Sequence, residues 1–245
     1  MNWKKALLIV ADVVLGAYLV VAVTAFNKPE DAATVCQQVR ITIAGDVAEG
    51  FLTTADVERM LKADHIDPRG LALGQINTRQ IEEHLQAKAL IEEAQCYTTQ
   101  NGNVCINIRQ RTPVVRVMAQ NGDDYYVDNN GQPLPRSSYT ANLMVATGYI
   151  TPRYAEQRLA PMANLILKDE FWRSQVVQLN ILRDGSVELV PRVGDHIVYL
   201  GQPTGLTRKL SRLRKFYLYG LSQAGWNKYS RISVEFDNQI ICKRR

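Results

Sequence analysis

The chain has 245 residues, 46% hydrophobic and 22% charged, which suits one or two folded domains and excludes a disordered, collagen-like or multi-span membrane protein. Its formal charge of +5 is unevenly placed: residues 204–245 hold ten Lys/Arg and two Asp/Glu, whereas residues 29–203 hold 16 basic and 21 acidic residues. An acidic body with a basic end is an argument about partners and not about fold.

Chain order begins with Ala6 to Phe26, 21 residues that carry a single charge, Asp12. At a rise of about 1.5 Å per residue, such a run reaches across a hydrocarbon core of about 30 Å. Trp3, Lys4 and Lys5 precede it, so the positive-inside rule leaves residues 1–5 in the cytoplasm and sends the remainder outside. Val23-Thr24-Ala25 resembles a signal-cleavage site, but the run exceeds the about 7–15 residues of a signal h-region, and an uncleaved anchor is expected. Asp12 is costly inside a bilayer; contact with another membrane helix or a tolerated charge are its two readings. Export also removes chromosomal DNA as a partner for the basic end.

Beyond the span, Val39, Ile41 and Ile43 alternate as a short strand. Thr53 caps a helix through Asp56, with Val57, Met60 and Leu61 as its buried stripe, and Asp67-Pro68-Arg69-Gly70 breaks the pattern. A second helix starts at Asn77 or Thr78 and buries Ile81 and Leu85. Two strands flank Asn101-Gly102, a hairpin signal, with Val104, Ile106 and Ile108 alternating after the turn. From Arg111-Thr112-Pro113 onward the pattern is β-rich. Strands are expected after Pro113, around Asn129-Asn130-Gly131, over Leu143–Ala146 and on both sides of Asp184-Gly185. His196–Leu200, Ser230–Phe236 and Gln239–Lys243 complete them. Tyr154–Leu167 has helical spacing, and Thr204 caps a helix to about Gly220 whose stripe is Leu206, Leu210, Leu213 and Tyr217.

Little in the chain speaks of chemistry. His65, His84 and His196 lie in separate elements with no metal-ligand spacing, and no nucleophile elbow, phosphate loop or dinucleotide fingerprint occurs. The pairs Glu82-Glu83, Glu92-Glu93 and Asp123-Asp124 are neighbours in sequence and read as solvated charges. Neither a catalytic residue, a cofactor, a metal nor a small-molecule substrate is expected. With Asn101-Gly102 as a two-residue loop, Gln100 faces Asn103, Cys105 faces Thr98 and Cys96 faces Asn107. Cys96 and Cys105 then share a face diagonally at ~7–8 Å, beyond a relaxed disulfide. One of them bridging to Cys36, with Cys242 free, and four reduced thiols are the two alternatives left open.

The basic head, single span, strand-helix-helix-strand-strand unit and β-rich remainder together resemble the FtsQ/DivIB family of bacterial cell-division proteins. The more specific pieces are INIRQRTPVVRV (Ile106–Val117), YYVDNNGQPLP (Tyr125–Pro135) and the closing ISVEFDNQIICKRR. The first looks like the family's passage out of its POTRA domain, the second like the following hairpin with Asp128 and Gly131 at its turn. The resemblance implies an α+β chain: a head at 1–5, a transmembrane helix at 6–26 and a POTRA-like β-α-α-β-β domain at 36–111. At 112–245 it implies a mainly antiparallel β-domain with two helices. It also implies a non-enzymatic, single-pass inner-membrane scaffold with its bulk in the periplasm. Such a scaffold binds FtsB/FtsL-like coiled-coil membrane partners of the divisome and helps recruit and regulate septal peptidoglycan synthesis.

By that resemblance the partner's strand adds to Gln239, Ile240, Ile241, Cys242 and Lys243, beside Arg231 and Ser233 of the preceding strand and Arg208, Arg212 and Lys215 of the last helix. Trp3, Lys4, Lys5 and Asp12 belong to the anchor. A terminal strand is a natural edge for strand addition, and Arg208, Lys209, Arg212 and Lys215 read as a basic face opposite the leucine stripe. Pro at Ile241 is expected to remove the outward donor, with Pro at Ile240 testing the alternate register. Two rivals remain. An anchored POTRA protein of polypeptide export or outer-membrane assembly would use the strand Glu93–Thr98, and an anchored cell-wall enzyme would need a cleft of converging polar groups.

Overall fold

The computed structural model describes residues 3–26, 35–44, 51–99, 101–136 and 143–245. Helix α1 runs over Trp3–Phe26. Its side chains are described at Trp3 and over 11–22, where all but Ala22 are exposed, Asp12 included; those of Lys4 and Lys5 lie outside the described residues. Among the described residues no helix is long and apolar enough to cross a membrane.

Two cores follow. In the first unit β1 (Gln38–Ala44), β2 (Ile91–Thr98) and β3 (Asn103–Gln110) form a sheet in the order β1-β3-β2, with β1 parallel and β2 antiparallel to the central strand. The parallel join needs a long crossover, which α2 (Thr54–Ala63) and α3 (Thr78–Gln86) supply. Thr53 and Asp56 close the expected capping box, and Asn77 caps α3 through Gln80 N–H. Val57, Leu61, Ile81 and Leu85 pack on Val104, Ile106 and Ile108 of the central strand.

The second unit is a nine-stranded sheet in the order β12-β11-β10-β9-β8-β7-β4-β5-β6. Its strands are β4 (Pro113–Ala119), β5 (Asp124–Asp128), β6 (Pro133–Leu134), β7 (Val145–Gly148), β8 (Val176–Ile181), β9 (Val187–Pro191), β10 (Ile197–Gly201), β11 (Tyr229–Ser233) and β12 (Ile241–Arg244). Five neighbouring pairs are antiparallel and three parallel. Helices bridge two of the parallel joins. Between β7 and β8 run α4 (Pro152–Tyr154), a π-helical turn, α5 (Ala160–Lys168) and α6 (Glu170–Gln175). Between β10 and β11 run α7 (Leu206–Lys215), a second π-helical stretch over Phe216–Leu221, and α8 (Ser222–Ala224). Both sets cover one face, where Leu159, Ala163, Ile166, Leu213 and Tyr217 meet Val117, Leu179, Leu189, Val198 and Ile232.

The opposite face carries a polar chain. Gln178 Nε2 donates to Thr147 Oγ1 at 2.8 Å, Thr147 Oγ1 lies 3.2 Å from Asn180 Oδ1, and Asn180 Nδ2 donates to Glu188 Oε2 at 3.0 Å. Arg231 completes it, 2.7 Å from Glu188 and stacked 4.6 Å over the Tyr199 ring. At its β5–β6 end this face is covered by the first unit, where Phe51 meets Tyr126 edge-on at 5.5 Å and packs with Leu134. Arg111, in the connection from β3 to β4, pairs at 3.0 Å with the fully buried Asp128, whose other oxygen accepts Asn130 and Gln132 N–H.

Several expectations are corrected by turn chemistry. In the β2–β3 hairpin Thr99 N–H donates to Asn103 O and Gly102 N–H to Thr99 O, with Gly102 at φ 75°. Three residues separate the paired ones, a three-residue loop closed by a left-handed glycine and not a two-residue turn. The register therefore moves by one: Cys96 opposes Ile106, Tyr97 opposes Cys105, and the two thiols lie on opposite faces. The expected Gln100–Asn103 pairing falls outside the described residues. All four cysteines are free, with Cys36 and Cys96 buried in the first core. The helix expected from a Thr204 cap starts instead after Gly205, at φ 61° with no side-chain cap. Helix α6 was not anticipated, and the strand expected at Leu143–Ala146 runs over Val145–Gly148.

Candidate partner interface

Four strands bound the two sheets, and they are not equally available. On β2 the Cys96 N–H donates to Glu82 Oε1 at 2.7 Å, and Gln86 Nε2 donates to Ala94 O at 3.1 Å. Side chains of α3 thus occupy backbone groups that an added strand would need, a familiar protection of an edge. β6 is two residues long and begins with Pro133, which has no N–H to offer. That leaves β1 and β12.

Among the described residues β12 pairs only with β11, Ile232 opposing Cys242 and Ser233 opposing Ile241. Gln239 and Ile240 lie in the connection ahead of it, so the expected edge strand begins two residues late. Arg245 N–H donates inward to Lys228 O at 3.3 Å, and Lys243 O accepts the Ser230 hydroxyl at 3.3 Å. Backbone groups alternate along a strand. The groups of Ile241 and Lys243 therefore face β11, and those of Cys242 and Arg244 face outward, although Arg244 O also lies 3.5 Å from the Ser230 hydroxyl. Pro at Ile241 would break the β11–β12 ladder, and the alternate, even-numbered register is the one that faces outward.

Side chains sort by face. Cys242 shares the helix-covered side with Ile232, where burial raises its thiol pKa, and it is partly buried along with Ile240, Phe216 and Tyr229. Leu189, Val198 and Ile232 in the middle of the same layer are fully buried, so this flank of the core is open. Ile241, 49% exposed, lies on the other side with Ser233 and Lys243.

The basic helix differs from expectation. Lys209 is buried, its Nζ donating to Leu200 O at 2.8 Å and Gln202 O at 2.9 Å, and burial lowers its pKa. Arg212 donates through Nη2 to Val234 O at 2.7 Å and through Nη1 to Phe236 O. Both cations tie α7 to the ends of strands and do not form a free basic face. Arg231 is likewise held by Glu188 and Tyr199. Arg208 sits 3.5 Å from Asp237, Arg214 3.8 Å from Asp169 and Arg245 3.0 Å from Asp195. Lys215, Lys243 and Arg244 are exposed with no ionic partner among the described residues. Lys228 is exposed without an ionic partner too, so β12 carries two of the unpaired cations of the basic end, and the periodicity of α7 held no sign that two of its cations point inward.

Behind this edge His196 is buried, its Nε2 2.7 Å from the Tyr217 hydroxyl, and burial lowers its pKa. Tyr217 also meets Trp226 edge-on at 5.3 Å, ahead of β11. Among the described residues no group of His, Cys, Asp and Glu is placed to hold a metal.

A small strand-helix-helix-strand-strand unit joined to a helix-backed sheet that ends in an exposed strand defines a two-unit POTRA protein. A family model described as "FtsQ/DivIB, C-terminal related" matches residues 112–243, and one described as "POTRA-like domain" matches residues 34–109. The first spans more than half of the chain, which belongs to the FtsQ/DivIB family. No curated relative matches it.

Proposed function

We propose that this cell-division POTRA protein is a non-enzymatic scaffold that captures an extended segment of an FtsB/FtsL-like divisome partner by strand addition at β12, and so helps recruit and regulate septal peptidoglycan synthesis. The observation that carries this reading is the outer edge of β12, where the outward backbone groups of Cys242 and Arg244 accompany Lys243 and Arg244, exposed cations with no ionic partner among the described residues. An acidic, extended partner would gain backbone hydrogen bonds from the edge and association rate from the charge. Its inward side chains would cover Phe216, Tyr229 and Ile240 at the open flank.

We place the protein in the inner membrane as a single-pass anchor with its bulk in the periplasm, a placement that rests on the apolar run Ala6–Phe26 and the basic residues Lys4 and Lys5 ahead of it in the sequence. The export rival relies on β2, and the α3 side chains bonded to Cys96 N–H and Ala94 O speak against it.

Depletion of the protein in its own host, followed by microscopy and photocrosslinking from Arg244, tests the proposal. Undivided cells with a small coiled-coil membrane protein crosslinked at β12 are the expected outcome. Normal division with an outer-membrane assembly defect would overturn it.

A further inference from the structure

We propose that β1, the outer strand of the POTRA-like sheet, is a second strand-docking edge, for a partner segment that alternates apolar residues with polar ones and places an acidic residue beside Arg40. This does not rest on the reading of β12, and either can fail alone.

Backbone direction is the first support. Gln37 N–H donates to Gly102 O, toward β3, while Cys36 N–H and Cys36 O bond on the other side to Leu71 O and Gly70 N–H. By alternation the groups of Arg40 and Thr42 also face away from β3. Beyond Cys36 they have no backbone partner among the described residues. Among the described residues the strand is thus stapled at its start and open along its length.

Burial is the second. On the helix-covered side the central-strand residues Val104, Ile106 and Ile108 are 0%, 0% and 1% exposed. Of their neighbours on β1, Val39 at the stapled start is buried, but Ile41 and Ile43 are only half-buried. The apolar layer fades toward β1, whereas on the β2 side Ala94 and Ile91 stay buried and α3 closes the edge. An added strand would complete the layer with an apolar side chain at every second position.

The chemistry of the occupant follows. The flanking segments of the chain, NKPEDAAT and GDVAEG, lack alternating large apolar residues, so the segment comes from another molecule. Arg40 is exposed on the outer face and has no ionic partner among the described residues. Pairing of two β1 strands would bring two copies of Arg40 onto one face, which disfavours a second copy and favours an acidic partner.

The probe is a nine-residue peptide alternating Val with Glu and Thr, added to the full chain in detergent, with amide hydrogen exchange as the readout. The Arg40 and Thr42 amides exchange quickly in the free protein and slow about tenfold with peptide, as expected when one net hydrogen bond forms at each. Thr42→Pro, which removes an outward donor, weakens binding about tenfold. Arg40→Glu leaves the backbone intact and weakens the acidic peptide but not a Lys-for-Glu version. Three results would overturn the inference: protection that falls only at Cys96 or Cys242, no protection anywhere, or β1 amides already slow in the free chain and freed by dilution, which would mark self-pairing.

Discussion

Arg212 separates a clamp from a docking cation. Its guanidinium leaves α7 and takes the carbonyls of Val234 and Phe236, in the connection that delivers β12 to its place. Hydrogen bonds to a charged group contribute about 1.5–3 kcal/mol each, so Arg212→Met should cost about 2–4 kcal/mol after partial solvation of the freed carbonyls. Arg212→Lys keeps the charge but loses the planar fork, and should still cost about 1–2 kcal/mol. The assay is urea unfolding of the full chain by tryptophan fluorescence, together with exchange of the Ile241 amide, which faces β11. Both variants should lower the midpoint and speed that amide. An Arg212→Lys protein with unchanged midpoint and unchanged Ile241 exchange would refute the clamp and return Arg212 to the partner.

Buried His196 has its pKa lowered by burial, so as pH falls through about 6.5 the unfolded chain takes up the proton first and stability drops. The urea midpoint should therefore fall more between pH 7.5 and 5.5 in the natural chain than in His196→Gln; equal losses would contradict this. Phe51→Ala removes the ring that meets Tyr126 and Leu134 at the join of the two units, at a cost of about 3 kcal/mol. It should speed proteolysis after Arg111, and an unaltered cleavage rate would argue that the ring does not hold the units together.

What was legible in the sequence was what depends on periodicity and local capping. The Thr53–Asp56 box, the Ile81 and Leu85 stripe and the alternation of Val104, Ile106 and Ile108 are all decided within a few residues. Turn register was not legible. Asn101-Gly102 is compatible with a two-residue or a three-residue loop, and the latter placed Cys96 and Cys105 back to back. The same three-residue geometry recurs at Gly122, Gly131 and Gly185, each with positive φ and each closing onto the residue three before it.

The edge itself was legible as a terminal strand, but its chemistry was not. Lys209 and Arg212 look like two more charges on a basic helix, and only the tertiary approach of the Leu200, Gln202, Val234 and Phe236 carbonyls turns them inward. Which β12 amides face outward depends on the inward bond of Arg245, a contact without any local signal. The closed β2 edge likewise depends on Glu82 and Gln86 of α3, residues that read as solvated helix surface until the helix is packed.

The most direct test of strand addition is residue-resolved amide exchange on the full chain with and without the extended segment of the proposed FtsB-like partner. Strand addition should strongly protect the Cys242 and Arg244 amides on binding, with Ile241 and Lys243 little changed because they already face β11. Binding that leaves Cys242 and Arg244 unprotected would contradict it and move the interface off this edge.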